Sequence, residues 1–211
     1  MVLLHSNKLE NIPKDAVLFN ENDALKYQWD EIANHNSLRK TWSLKYGAGF
    51  LGALSGLTGV YINHHYRGRL RLGSFGAFST YLPIVVLPTL VATTFHKVFI
   101  QSDIVLRKVK CPVCLQVRAA ATQVAFGIGY PTILAPIAAY MFAVRHFTYR
   151  LPPINKYKEL FAVYKKMTKP LSMALSIAMC AHVLIAMALT QKEILDFHRL
   201  EQDSATEELL S

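Results

Sequence analysis

Charged side chains are scarce in this sequence and are missing altogether from four long stretches. Only 18% of the 211 residues are charged and 52% are hydrophobic, whereas an ordinary soluble domain has roughly 25% charged residues. The uncharged stretches lie between Lys45 and Arg67, Arg71 and Lys97, Arg118 and Arg145, and Lys169 and Lys192. Each is long enough for the ~20 residues that cross a bilayer. Since none carries the polar stripe of a soluble amphipathic helix, a membrane protein is indicated.

Cysteine is also scarce, and the start of the chain lacks the marks of a cleaved targeting sequence. Three cysteines cannot build the disulfide framework of a small secreted protein. Residues 1–13 contain no basic stretch followed by an apolar segment and no small-residue cleavage site, as a secretory signal would. Glu10 and Asp15 are unlike the acid-poor transit peptides. We therefore expect internal targeting information.

Motifs that carry chemistry are missing as well. The sequence has no phosphate-cradling Gly-rich loop, no His-Glu-x-x-His and no nucleophile elbow, and no uncharged stretch holds paired carboxylates. We therefore predict a protein that is not an enzyme, with no catalytic residue, cofactor or metal. The net charge of +9 resides in short connections beside the apolar stretches, which favours membrane flanks over a nucleic-acid partner.

The resulting prediction is an all-α membrane protein with four transmembrane helices and a polar, partly helical N-terminal segment. The N-terminal segment covers residues 1–45, with an interfacial helix from an Asn22 N-cap to about Thr41, for which a solvated helix is the alternative. The transmembrane domain covers residues 46–191, with spans at about 46–66, 72–96, 119–144 and 170–191. Residues 192–211 form an acidic C-terminal tail that continues the last helix. Lys and Arg are divided nearly equally between the two sides, so the orientation is not predicted.

Small residues recur at four-residue spacing in the first and third predicted spans. Such rows let helix backbones approach closely, and dispersion contacts then hold the helices together in lipid. The partner helix belongs either to this chain or to another protein. The candidate packing residues are Ala48, Gly52, Gly56, Ala121, Ala125 and Gly129.

Cys111 and Cys114 form the sharpest local motif. Their spacing suits a disulfide or half of a zinc site. The third cysteine, Cys180, falls in another predicted span, and no strand pattern surrounds the motif as in a thioredoxin-like site. We therefore favour a loop-rigidifying disulfide or two inert thiols, with metal binding and dithiol catalysis as alternatives.

His182 is the one ionisable residue near the middle of a predicted span. Ionisable groups inside a membrane are costly and often functional. We expect a hydrogen bond between helices, with a proton relay or metal binding as the alternative. Together with the prolines that should bend the second and third spans, His182 also suits a small transporter or channel.

Several local motifs are similar to those of a known family. They are Cys111-x-x-Cys114 before the third span, Gly129-Tyr130-Pro131 and Leu134-Ala135-Pro136-Ile137 within it, and Thr168-Lys169-Pro170 at the start of the fourth. In these motifs and their spacing the chain resembles the transmembrane protein 126 family of small four-span proteins.

That resemblance implies a multi-pass protein of the mitochondrial inner membrane that assists respiratory complex I biogenesis as a scaffold. The implied partners are complex I membrane-arm subunits and the mitochondrial complex I intermediate assembly proteins. The family offers no catalytic residues to transfer. The basic connections of this chain suit acidic partner surfaces or membrane lipids such as cardiolipin.

Overall fold

The computed structural model of the chain describes residues 20–35, 37–153 and 155–210, in which helices are joined by short non-helical connections. The six helices, numbered α1 to α6, are Glu21–Asn34, Leu38–Arg69, Ala77–Val105, Pro112–His146, Tyr157–Thr168 and Ser172–Leu210. A 3₁₀ turn, Lys169–Leu171, joins α5 to α6. No strand occurs in these ranges, and the all-α prediction is confirmed.

The predicted N-terminal helix is instead two helices, because α1 ends at Asn34 and α2 begins at Leu38. Helix α1 is capped by Asn20, whose Oδ1 accepts the N–H of Glu21 at 2.8 Å, so the predicted cap at Asn22 was wrong. Starting the helix earlier places the acidic Glu21 within the first turn, where the helix dipole favours negative charge. Residues 1–19 of the predicted N-terminal segment lie outside the described residues.

Among the described residues, three helices are long and apolar enough to cross a membrane, against the four predicted. The three candidate spans are Ala77–Val105, Pro112–His146 and Tyr157–Asp203. The remaining predicted span, 46–66, lies in α2, which has 32 residues and is therefore long enough. Its composition differs because glycine, serine, threonine and Asn63 replace large apolar residues. These small and polar residues lower its mean hydropathy below that of the other three.

Prolines distort α3 and α4 without ending them. Pro83 lies in a π-helical turn, Leu82–Val86, and Pro131 lies two residues after the end of another, Val124–Gly129. In a π turn each N–H reaches the carbonyl five residues back, as Tyr130 N–H does to Ala125. This wider turn accommodates the missing proline N–H and the ring that would clash in a regular helix. One further π turn, Lys97–Gln101, lies near the end of α3.

Helix α2 occupies the centre of the bundle and packs against α3, α4 and α6. Two hydrophobic clusters lie towards opposite ends of it. One includes Leu44 and Leu51 of α2 with Phe197 of α6, and the other includes Ile62 and Tyr66 of α2. The stretch of α2 between the clusters carries polar residues, and the candidate site begins there.

Candidate functional site

A buried network of polar side chains joins α2, α4 and α6 between the two hydrophobic clusters. Oε1 of Gln123 lies 2.9 Å from Oγ of Ser55 and 3.0 Å from Nδ1 of His182. Nε2 of His182 lies 2.9 Å from Oγ1 of Thr58. Both hydroxyls also lie 3.1 Å from the carbonyl one turn back on α2. His182 therefore bridges helices within the bundle.

The buried Nε2 of Gln123, which has no acceptor, favours the opposite orientation of the Gln123 amide. If Ser55 and Thr58 each give their single proton to a carbonyl of α2, the amide atom that faces Ser55 and His182 must be the donor. With the amide oxygen there instead, the two protons of Gln123 Nε2 are buried without an acceptor. We therefore place the amide nitrogen towards the network. Nε2–H of His182 then donates to Thr58, and only the Gln123 carbonyl stays unpaired. One buried carbonyl without a donor costs less than two buried N–H groups without acceptors.

Gly127 makes room for the imidazole of His182. A Cβ atom at this position would lie 2.7 Å from Cε1 of His182 and 3.0 Å from Oγ of Ser55. The glycine belongs to the π turn of α4, and π turns are frequent at functional sites. Sequence reasoning singled out Gly129 and missed Gly127, because a four-residue spacing assumes a regular α-helix.

The small-residue row of the first predicted span faces α3 inside the bundle. A Cβ atom at Gly52 would clash with Oγ1 of Thr93, and one at Gly56 would lie 2.5 Å from Oγ1 of Thr89. Ala48 is buried in the same region of α2. These residues therefore pack within this chain, and their smallness sets the close approach of α2 to α3.

The small residues of the third predicted span do not lie on one face of the helix. Ala121 and Ala125 are exposed, whereas Gly129 is half-buried away from them. The π turn that begins at Val124 adds a residue to one turn and so rotates Gly129 out of the row. Ala121 and Ala125 line an open apolar groove of about 480 Å³ between α4 and α6. The other lining residues are Val117, Ala120, Val124, Val183 and Met187.

A second buried polar cluster lies nearer the N-terminus of α2 and centres on Glu193. Its carboxylate accepts from Nε2 of His96 at 2.9 Å and from Nε2 of Gln101 at 2.7 Å. All three side chains are buried. Gln101 also donates to the carbonyl of Leu44 on α2 at 3.1 Å, so the cluster joins α2, α3 and α6.

Sequence reasoning missed Glu193 because it follows the last uncharged stretch and was assigned to the acidic tail. Helix α6 instead continues without interruption, and Asp196 is also buried, accepting from Oγ of Ser43 at 2.7 Å. The spacing between His182 and Glu193 in the sequence could have revealed this buried position. Glu193 lies 11 residues after His182, which is close to three helical turns and places both on one face.

Cys111 and Cys114 are joined at the start of α4 in what is called here the α4 disulfide. Cys111 is the N-cap of the helix, and its Sγ accepts the N–H of Cys114 at 3.3 Å. Cys180 is exposed on α6 and is not bonded to either. In the part of the chain that the structure describes, no three His, Cys, Asp or Glu side chains are grouped to hold a metal ion.

Long helices with exposed apolar sides and a buried polar interior define this chain as a polytopic helical membrane protein. Leu90, Ile133 and Leu184 illustrate the outer surface, with between 61% and 67% of each residue exposed. In a soluble protein such a surface would promote aggregation, whereas lipid covers it without cost.

Comparison with known proteins gives the family. Residues 28–205 match the family model described as Transmembrane protein 126. A curated protein of Drosophila melanogaster, called Transmembrane protein 126, is 47% identical over 188 residues, which cover 88% of this chain and 84% of that protein. No solved structure matches the chain. The chain belongs to the transmembrane protein 126 family.

Proposed function

We propose that this protein is a non-enzymatic scaffold of the mitochondrial inner membrane that holds membrane-arm intermediates of respiratory complex I during assembly. Membership of the transmembrane protein 126 family supports the proposal, since the family resemblance implies that role. The partners would be membrane-arm subunits and proteins of the mitochondrial complex I intermediate assembly complex. The observation in this chain that carries the proposal is the open groove between α4 and α6.

The groove has the properties of a site for a partner helix. Its small side chains, among them Ala121 and Ala125, allow another backbone to approach closely. It is formed by α4 and α6 and does not include the α2 row, whose glycines already pack against α3. A partner helix in this groove would replace lipid contacts with tighter packing, which is the main source of helix association in membranes.

We also propose that α2 is the fourth transmembrane helix. It packs against all three candidate spans, and its polar residues Ser55 and Thr58 are bonded within the bundle. Its exposed side chains from residue 46 to residue 61 are mostly large and apolar, with Phe50 and Leu57 exposed by 52% and 69%. Satisfied polar groups inside and apolar groups outside are what a lipid-embedded helix requires. Four spans would place both ends of this bundle on one side of the membrane.

Complexome profiling of mitochondria tests the assembly role. In cells that lack this protein, complex I should fall and membrane-arm intermediates should accumulate or disappear. Re-expressed wild-type protein should restore complex I and comigrate with an intermediate. The variant Ala121→Leu/Ala125→Leu should be inserted normally but comigrate less, because leucine fills the groove.

Ala53→Leu is the matched control, since Ala53 is exposed on α2 outside the groove. Wild-type protein that never comigrates with complex I intermediates, together with unchanged complex I in its absence, would contradict the assembly role. Equal comigration of the groove variant and the control would contradict the groove as the binding surface while leaving the assembly role intact.

The alternative function is a small transporter or channel, supported by the proline-distorted helices α3 and α4 and by buried His182. Both ring nitrogens of His182 have partners within the bundle, which fits a structural role better than ligand exchange. Flux through reconstituted protein that is lost in His182→Ala would favour transport.

A further inference from the structure

The positive charge of the chain is concentrated at one end of the bundle. Residues 67–71 and 145–169, called here the basic end, contain ten of the 23 basic residues and one of the 14 acidic residues. The remaining sequence contains equal numbers of both, so the whole formal net charge of +9 is found at the basic end. The two segments meet, because Oγ1 of Thr148 donates to the carbonyl of Leu70 at 2.9 Å.

Outside the basic end, several basic residues are paired with acidic ones. Lys40 bonds Asp203 and Lys108 bonds Glu21, each at 2.5 Å. Similar pairs join Arg107 to Glu201 and Arg118 to Asp103. These contacts neutralise the charge within the chain.

The basic end has little such neutralisation. Within the described part of the chain, only Lys156 of its ten basic residues forms an ion pair, with Glu159. Arg67 is buried and donates to the carbonyls of Gly73 and Phe75. The other eight basic side chains are exposed to the surroundings.

Helix α5 presents part of this charge together with aromatic rings. Its inner face, which includes Val163 and Met167, packs against the hydrophobic cluster at this end of the bundle. Its outer face carries Tyr157 and Phe161, exposed by 70% and 65%. Three further exposed residues of this helix are Lys158, Lys165 and Lys166. Aromatic rings beside lysines, directly before the long apolar α6, are typical of the lipid headgroup region.

We propose that the basic end, with α5 at its centre, binds the phosphate groups of anionic phospholipids. The lysines contact the phosphates, while Tyr157 and Phe161 enter the boundary between headgroups and acyl chains. The bound lipid holds α5 flat against the membrane surface. This inference rests on charge and exposure and does not depend on the assembly role.

The composition of this surface favours lipid over an acidic protein. Lysine is depleted in protein–protein interfaces, whereas clusters of four to eight basic residues beside a span are typical of anionic-lipid binding. The exposed rings on α5 would also need an apolar pocket on a protein partner. A bilayer surface supplies both environments along one continuous layer.

Native mass spectrometry of the purified full-length protein in detergent tests the proposal. Cardiolipin, phosphatidylglycerol and phosphatidylcholine are each added, and the fraction of protein that retains lipid is compared. We expect retention of both anionic lipids over phosphatidylcholine. Each lysine near an anionic surface contributes roughly fivefold in affinity, so Lys158→Gln/Lys165→Gln/Lys166→Gln should weaken anionic lipid binding by roughly a hundredfold. Raised salt should weaken it in wild-type protein too.

Lys26→Gln/Arg39→Gln/Lys110→Gln is the matched control, because these exposed basic residues lie outside the basic end. It removes the same charge and should bind anionic lipid as the wild type does. Equal loss in both variants, or equal retention of all three lipids by the wild type, would overturn the proposal. Unchanged lipid binding by the α5 variant with loss of copurifying proteins would assign the surface to an acidic protein instead.

Discussion

Replacing Glu193 with alanine should destabilise the bundle by about 3 kcal/mol. Glu193 is buried and accepts hydrogen bonds from His96 at 2.9 Å and Gln101 at 2.7 Å. Gln101 keeps the Leu44 carbonyl as acceptor for one of its two amide protons, so the substitution leaves its other N–H and that of His96 without acceptors. A buried donor left without an acceptor costs about 1–3 kcal/mol, and the cavity adds to it. At about 2–4 °C per kcal/mol for a chain of this size, the Tm should fall by about 6–12 °C.

The assay is thermal unfolding of the purified protein in detergent, followed by circular dichroism. The matched control is Asp203→Ala, which also removes an ion-paired acid from α6. Lys40 and Asp203 are 46% and 41% exposed, and an exposed pair contributes less than about 1 kcal/mol. Equal Tm values for Glu193→Ala and Asp203→Ala would refute the reasoning that the buried cluster joins the three helices.

Three further perturbations test other parts of the structure. Gly127→Ala should lower the Tm in the same assay because its methyl group would meet the buried imidazole, whereas Gly49→Ala should not, since no neighbour lies within 4 Å. Arg67→Met should loosen the connection between α2 and α3, measured as faster backbone amide exchange over residues 70–76, because two carbonyls lose their donor; unchanged exchange would contradict this. Serine at both positions of the α4 disulfide should lower stability by no more than about 2 kcal/mol, because the bond closes a short loop and serine is itself a good N-cap. A larger fall in Tm would contradict the prediction that the fold can do without this bond. Free thiols on alkylation of native membranes would show that the two cysteines are not bonded there.

The helical layout could be predicted because lipid constrains composition so strongly. Stretches without charge identified α3, α4 and α6, since an unpaired charge in hydrocarbon is costly. The same rule is weaker for α2. A helix surrounded by other helices can carry Ser55, Asn63 and several glycines, because its neighbours rather than lipid meet those residues.

The candidate site was predictable only in part. His182 was conspicuous because it interrupts an apolar stretch, and a hydrogen bond between helices was the expected role. Its partner Gln123 could not be chosen from sequence, since the pairing depends on how α4 lies against α2 and α6. Gly127 and the displacement of Gly129 depend on a π turn, which helical periodicity does not reveal. Glu193 was overlooked because it lies at the start of the predicted acidic tail, where side chains are expected to be exposed.

Site-specific photo-crosslinking tests the central claim, that the α4–α6 groove holds an assembling partner, most directly. A benzoyl-phenylalanine at position 125 would lie in the groove, and one at position 53 would lie on exposed α2 outside it. After irradiation of intact mitochondria, mass spectrometry should identify a complex I membrane-arm subunit or assembly protein crosslinked to position 125 and not to position 53. Crosslinks to lipid alone at position 125, or the same proteins at both positions, would contradict the account.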